Sequence, residues 1–219
     1  MRSLPHSSAA KLRHTLPTQL EPYRLLPLHA SMAHARATWC RCPLASNTPR
    51  PAPDLAVQIA AQSGLPLKIA AKVDKVDQAY FASTVEPLLS QAHVEFIGEI
   101  DQAQKPEFLS GAKALLFPID WNEPFGLVMI ESMACGTPVI AFNRGSVPEV
   151  IDHGVTGFIC DDVQGAVIAL HRIDELSRAG VRAQFERRFS AKTMAQNYLD
   201  AYTSMLQAEQ GPRSGAAVP

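Results

Sequence analysis

From Leu55 onward the sequence alternates short apolar runs with segments of helical period, and this alternation leaves the chain few architectures to choose from. Leu55 to Ser63 carries a helical pattern that ends at Gly64, and Leu67-Lys-Ile-Ala-Ala71 follows as a strand. Gln78 to Ser90 shows an apolar stripe of Phe81, Val85, Leu88 and Leu89 at helical spacing. Val94 to Ile97 is a second strand, Lys105 to Ser110 a short helix, and Ala114 to Pro118 a third strand. Leu127 to Ala134 is helical, and Pro138 to Ala141 and Gly157 to Cys160 are a fourth and a fifth strand. Val163 to His171, Val181 to Arg188 and Lys192 to Gln207 close the pattern as helices. Strands separated by helices cannot pair as hairpins, so they build a parallel sheet with helices on both faces. The expectation is an α/β domain over residues 54–208, followed by a disordered tail at 209–219.

Upstream of this pattern the composition changes. Residues 1–53 hold no glycine, one acid (Glu21), seven Lys and Arg, and eight of the 17 prolines, whereas all 12 glycines follow residue 53. Prolines at 5, 17, 22, 27, 43, 49, 51 and 53 interrupt any strand or helix period, so residues 1–53 read as a disordered or non-native leader. An Arg- and Ser-rich, acid-poor leader also resembles an organelle transit peptide, although an altered start or a shifted upstream frame accounts better for the lack of periodicity.

The overall balance narrows the function classes. A net charge of −1 gives no reason to expect a nucleic-acid partner. Cysteines at 40, 42, 135 and 160 form neither a metal-ligand nor a disulfide framework, and no metal or other cofactor is expected. No apolar run approaches the ~18 residues of a membrane span. A cytoplasmic location fits these features, or a peripheral one at the inner face of the membrane.

The densest chemistry lies in WNEPFGLVMIESMACGTPVIA, residues 121–141. Glu123 and Glu131 stand eight positions apart around a helix start, Glu123 in a Pro- and Gly-containing loop, Glu131 within an almost wholly apolar helix. A carboxylate in such a segment is costly to bury unless something pairs with it. Phe125, Gly126 and Leu127 fall where the first helical amides point outward with the positive end of the helix dipole behind them, an arrangement suited to phosphate.

The run Glu123-Pro-Phe-Gly126-Leu-Val-Met-Ile-Glu131, continued by Ala134-Cys-Gly136-Thr-Pro138-Val, resembles the Glu-x7-Glu signature of retaining glycosyltransferase family 4. Asn143-Arg-Gly145-Ser-Val-Pro148-Glu149 is similar to that family's Gly-Gly-x-Pro-Glu loop, and Gly154-Val-Thr-Gly157-Phe158 to its Gly-x-x-Gly-Phe turn. Several linked motifs in order make this specific, and it covers roughly residues 54–208. The resemblance implies the C-terminal, nucleotide-sugar half of a GT-B fold, in which two Rossmann-like domains face each other. It further implies that Glu131 holds the ribose hydroxyls of a nucleotide-diphosphate sugar and that Glu123, the catalytic candidate, contacts the donor sugar. By the same resemblance the amides of Phe125, Gly126 and Leu127 meet the diphosphate, and Ile100, in the turn after the second strand, meets the base.

Other candidates read more plainly. Lys72, at the end of the first strand, could stand in for a phosphate cation but fits an exposed structural lysine better. His93, His153 and His171 read as structural, Glu149 as a capping or loop residue, and Asp161-Asp162 lacks the spacing of a metal-binding pair.

The resemblance also requires a central strand before Leu55, ending in a Gly-Arg turn with a lysine a few residues later. Asn47-Thr-Pro-Arg50-Pro-Ala-Pro53 cannot be that strand, because proline donates no ladder hydrogen bond. The expectation is therefore a Rossmann-like sheet lacking its first, central strand and the acceptor domain. The implied activity is transfer of a sugar, with retention, to a carbohydrate or lipid acceptor, but this polypeptide alone is expected to be inactive. The competing reading is a truncated fragment or decayed gene product with weak nucleotide-sugar binding. A sugar-nucleotide 2-epimerase shares the GT-B arrangement but has no motif here.

Overall fold

The computed structural model describes residues 37–40, 53–73, 75 and 78–209. Strand β1 is Ala37–Cys40, followed by helix α1 (Pro53–Ser63) and β2 (Leu67–Ala70). Helix α2 spans 78–89, its middle turn Phe81–Val85 being π-helical, and β3 is Val94–Gly98. Then come α3 (Lys105–Ser110), β4 (Ala114–Phe117), α4 (Leu127–Ala134), β5 (Val139–Phe142) and α5 (Val147–Val150). Strand β6 (Gly157–Cys160) and helices α6 (Val163–Arg172), α7 (Arg178–Arg188) and α8 (Ala191–Glu209) complete the order.

Every strand pair is parallel, in the order β3-β2-β1-β4-β5-β6. This is the doubly wound order in which chain direction reverses beside β1, so the crevice at the carboxyl ends of β1 and β4 is where such sheets bind ligands. Side chains two apart share a face of the sheet, and the core divides accordingly. Leu115, Phe117, Val139 and Ala141 point to one side, with Val128, Met129 and Met133 of α4 and Val181 and Phe185 of α7. Ala114, Leu116, Ile140 and Phe142 point to the other, with Ile59 of α1 and Leu170 of α6. The four residues of β4 are all buried, as are those of β5, which explains why both read as unbroken apolar runs.

One expectation is overturned. The sheet does not lack its central strand: Ala37-Thr-Trp-Cys40, within the segment assigned to the leader, pairs with β2 along its length and with β4 through Ala37↔Ala114 and Thr38↔Leu115. The prolines from 43 to 53 do exclude a strand there, but residues 28–42 contain none, and Thr38 and Trp39 suit a pleated backbone. With β2 and β4 both buried, an empty place between them would leave their inner backbone groups unpaired, which a proline-free extended segment relieves. The expected leader disorder otherwise concerns residues 1–36 and 41–52, and the expected tail disorder residues 210–219; both lie outside the described residues.

Candidate functional site

The chain leaves β4 through buried Pro118 and Ile119 and turns at Trp121 toward α4. Gly126 forms the N-cap of α4 at φ 74°, ψ 67°, a left-handed conformation that glycine adopts without strain. Glu123 folds back on this turn: its Oε1 accepts from the Gly126 amide at 3.2 Å and its Oε2 from the Trp121 indole Nε1 at 3.1 Å. The Gly126 amide is therefore occupied rather than open as expected, because the carboxylate three residues back reaches it first. Among the described residues the amides of Phe125 and Leu127 meet no protein acceptor. Both side chains are exposed, and the Phe125 ring stands edge-on to Phe189 at 6.3 Å.

A second loop braces the first. The amide of Ser146 donates to the Glu123 carbonyl at 2.9 Å, and Gly145 lies so close behind Glu123 that no side chain fits between them. The segment similar to the Gly-Gly-x-Pro-Glu loop thus fixes the backbone from which Glu123 projects.

Glu131 is 5% exposed, inside a helix whose residues Val128–Ala134 are all buried. Its two oxygens accept from the Lys105 ammonium, each at 3.2 Å. The end of α4 is closed at Gly136 by paired bonds, Gly136 N–H to Met133 and Thr137 N–H to Ser132, each at 2.9 Å. Arg178 then ties two helix-end segments together, donating to Ala112 O at 2.7 Å and Ser110 O at 2.8 Å after α3 and to Thr137 Oγ1 at 2.7 Å after α4. Its charge sits at the negative ends of α3 and α4. Burial lowers its pKa from the ordinary value.

Ile100 is half-buried in the turn after β3, at the same carboxyl edge of the sheet. This turn is tied by reciprocal bonds: Asp101 Oδ1 accepts from the amides of Ala103 (2.8 Å) and Gln104 (2.9 Å), and Gln104 Oε1 accepts from the Asp101 amide at 3.0 Å. Lys105 follows at once. The expected site residues therefore fall into two groups, Glu123 through Glu131 on one loop and helix, Ile100 on another turn, joined by the Lys105–Glu131 pair.

The remaining candidates sit elsewhere in the fold. His153 Nδ1 accepts from the Ile159 amide at 3.1 Å, and its ring meets Phe158 edge-on. His171 and Lys72 are exposed, and Asp162 caps α6 by accepting from the Gly165 amide at 2.7 Å. Burial pushes the Cys135 thiol up to about 12, against the opposing charges of Arg182 and Arg178. Cys160 rises to about 11 through burial and the neighbouring Asp161 and Asp162. No described helix is long and apolar enough to cross a membrane.

Comparison with known proteins gives this geometry its context. The family model of glycosyl transferases group 1 matches residues 54–190, which contain Ile100, Lys105, Glu123 and Glu131. The chain belongs to the glycosyl transferases group 1 family. This group 1 member is 33% identical over 136 residues to N-acetyl-alpha-D-glucosaminyl L-malate synthase of Bacillus anthracis, covering 57% of the chain and 35% of that protein. It is 31% identical over 123 residues to spore coat protein SA of Bacillus subtilis, covering 52% and 33%. The chain thus spans about a third of the length of these relatives.

Its fold superposes on about half of each of two solved GT-B glycosyltransferase chains. The crystal structure of Anabaena Alr3699/HepE in complex with UDP and glucose superposes with a TM-score of 0.62 at 20% identity, over 87% of this chain and 53% of that one. AviGT4, a glycosyltransferase involved in avilamycin A biosynthesis, gives 0.63 at 23% identity over 85% and 56%.

Three supports of the candidate site leave no mark in the sequence. A partner for Glu131 was implied by its apolar setting, but Lys105 lies 26 residues away and nothing local singles it out. The Trp121 indole, two residues before Glu123, donates to its carboxylate, a contact that no motif or period marks. The role of Gly145 was hidden because the close approach it permits is to a distant loop.

Proposed function

We propose that this chain binds a nucleotide-diphosphate sugar as the donor-binding half of a retaining, family 4 glycosyltransferase. One observation carries the reading: a buried carboxylate, Glu131, and a loop carboxylate, Glu123, flank a helix start whose outward amides at Phe125 and Leu127 meet no acceptor among the described residues. Ionised Glu131 is an acceptor-only group suited to two vicinal ribose hydroxyls. Glu123 would contact sugar hydroxyls and stabilise positive charge developing at the anomeric carbon as the diphosphate departs. The amides of Phe125 to Leu127 would take the diphosphate, Gly126 by exchanging Glu123 for phosphate oxygen. Ile100 would lie against the base. That superposing structures hold UDP and glucose supports a uridine nucleotide as the first probe.

In this reading sugar passes to a carbohydrate or lipid acceptor on the cytoplasmic side. Binding tests the proposal: calorimetric titration with UDP, GDP, ADP and UDP-glucose should show saturable binding of at least one nucleotide. No heat with any of the four removes the donor-binding reading.

A further inference from the structure

Lys105 lies outside every motif that carries the resemblance, yet its ammonium stands 3.2 Å from both oxygens of the most deeply buried carboxylate of the candidate site. We propose that Lys105 is the positioning residue that turns Glu131 into a ribose-specific acceptor. This rests on the reading that Glu131 holds ribose.

An ionised carboxylate presents about four lone-pair sites, two on each oxygen. Lys105 occupies one on each oxygen, because its two distances are equal. One site per oxygen remains to accept a ribose hydroxyl. Held this way, the carboxylate plane cannot rotate freely, and the facing ammonium offsets the cost of burying it among apolar side chains. Its methylene stem comes from the start of α3, and the Asp101–Gln104 bonds fix that start to the turn bearing Ile100. Lys105 therefore couples the turn proposed to meet the base to the carboxylate proposed to meet the ribose.

A purely structural ion pair between α3 and α4 would steady the fold and leave ribose selection untouched. The two roles separate in the ratio of affinities for UDP and 2′-deoxy-UDP, measured by calorimetry on the full chain alongside thermal unfolding. The native protein should prefer UDP by about tenfold or more, the usual weight of a hydrogen bond to a charged buried group. In Lys105→Met that preference should collapse toward unity, with UDP weakened and 2′-deoxy-UDP little changed. Lys105→Arg, which retains two donors and the charge, should recover most of it. If Lys105→Met does not fold, Lys105→Gln takes its place with the same expectation. A variant that lowers both affinities equally and keeps the native ratio overturns the proposal. A native protein that binds UDP and 2′-deoxy-UDP alike instead refutes the assignment of Glu131 to ribose, and this inference falls with it.

Discussion

A β-carbon added to Gly145 would stand 2.4 Å from the carbonyl oxygen of Glu123, so these two residues are packed backbone against backbone. Gly145 also has φ 49°, a conformation that residues with side chains rarely adopt. Gly145→Ala should therefore push the Glu123 loop outward and destabilise the protein by about 1–3 kcal/mol. Chemical denaturation measures the loss. UDP-glucose titration should show weaker binding than in the parent. Unchanged stability and affinity would mean that the two loops move independently.

Trp121 gives a finer probe of the same carboxylate. Trp121→Phe keeps most of the ring but removes the indole donor that Glu123 Oε2 accepts from at 3.1 Å. Loss of one hydrogen bond to a charged group is worth about 1.5–3 kcal/mol at most. The expected outcome is a several-fold weaker affinity for UDP-glucose with UDP affinity little altered, since Glu123 is assigned to the sugar. Equal weakening of both would place Trp121 in general support of the loop.

The central strand makes a direct claim about residues 37–40. Thr38 lies opposite Lys68 of β2 and Leu115 of β4, with a ladder on each side. Thr38→Pro removes an amide and fixes φ in the middle of a sheet, which should cost about 3 kcal/mol or more and leave much of the protein aggregated. Gel filtration of the expressed variant tests this. A monomeric, cooperatively unfolding Thr38→Pro protein would mean that β1 is dispensable.

How far the sequence reading reached follows from which forces are local. Strands β4 and β5 were plain because each residue is buried and the runs are therefore apolar throughout. The burial of Glu131 was plain for the same reason. Strand β1 was missed because Ala-Thr-Trp-Cys has no such pattern; it is a strand because β2 and β4 leave a place between them, which is tertiary information. Lys105 was missed likewise, since a pairing across 26 residues leaves no periodic trace.

The two buried cysteines should be silent. A thiol raised to about 12, as at Cys135, is ionised at pH 8 to only on the order of one part in ten thousand, and thiolate is the reactive form. Native protein treated with iodoacetamide at pH 8 should carry no label on Cys135 or Cys160, and denatured protein should carry it on both. Because the unfolded thiols ionise from the ordinary 9.0 upward while the folded ones do not, stability should hold below pH 9 and decline as pH rises toward 12. Rapid native labelling of Cys135 would contradict its burial.

The central claim is a division of labour between two carboxylates, and calorimetry on Glu131→Ala and Glu123→Ala with UDP and UDP-glucose tests it most directly. Losing the hydrogen bonds of a buried carboxylate should cost about 1–3 kcal/mol, or roughly five- to hundredfold in affinity. Glu131→Ala should weaken UDP and UDP-glucose by the same factor, whereas Glu123→Ala should weaken UDP-glucose and spare UDP. Parent-like affinities for both ligands in both variants would contradict the account.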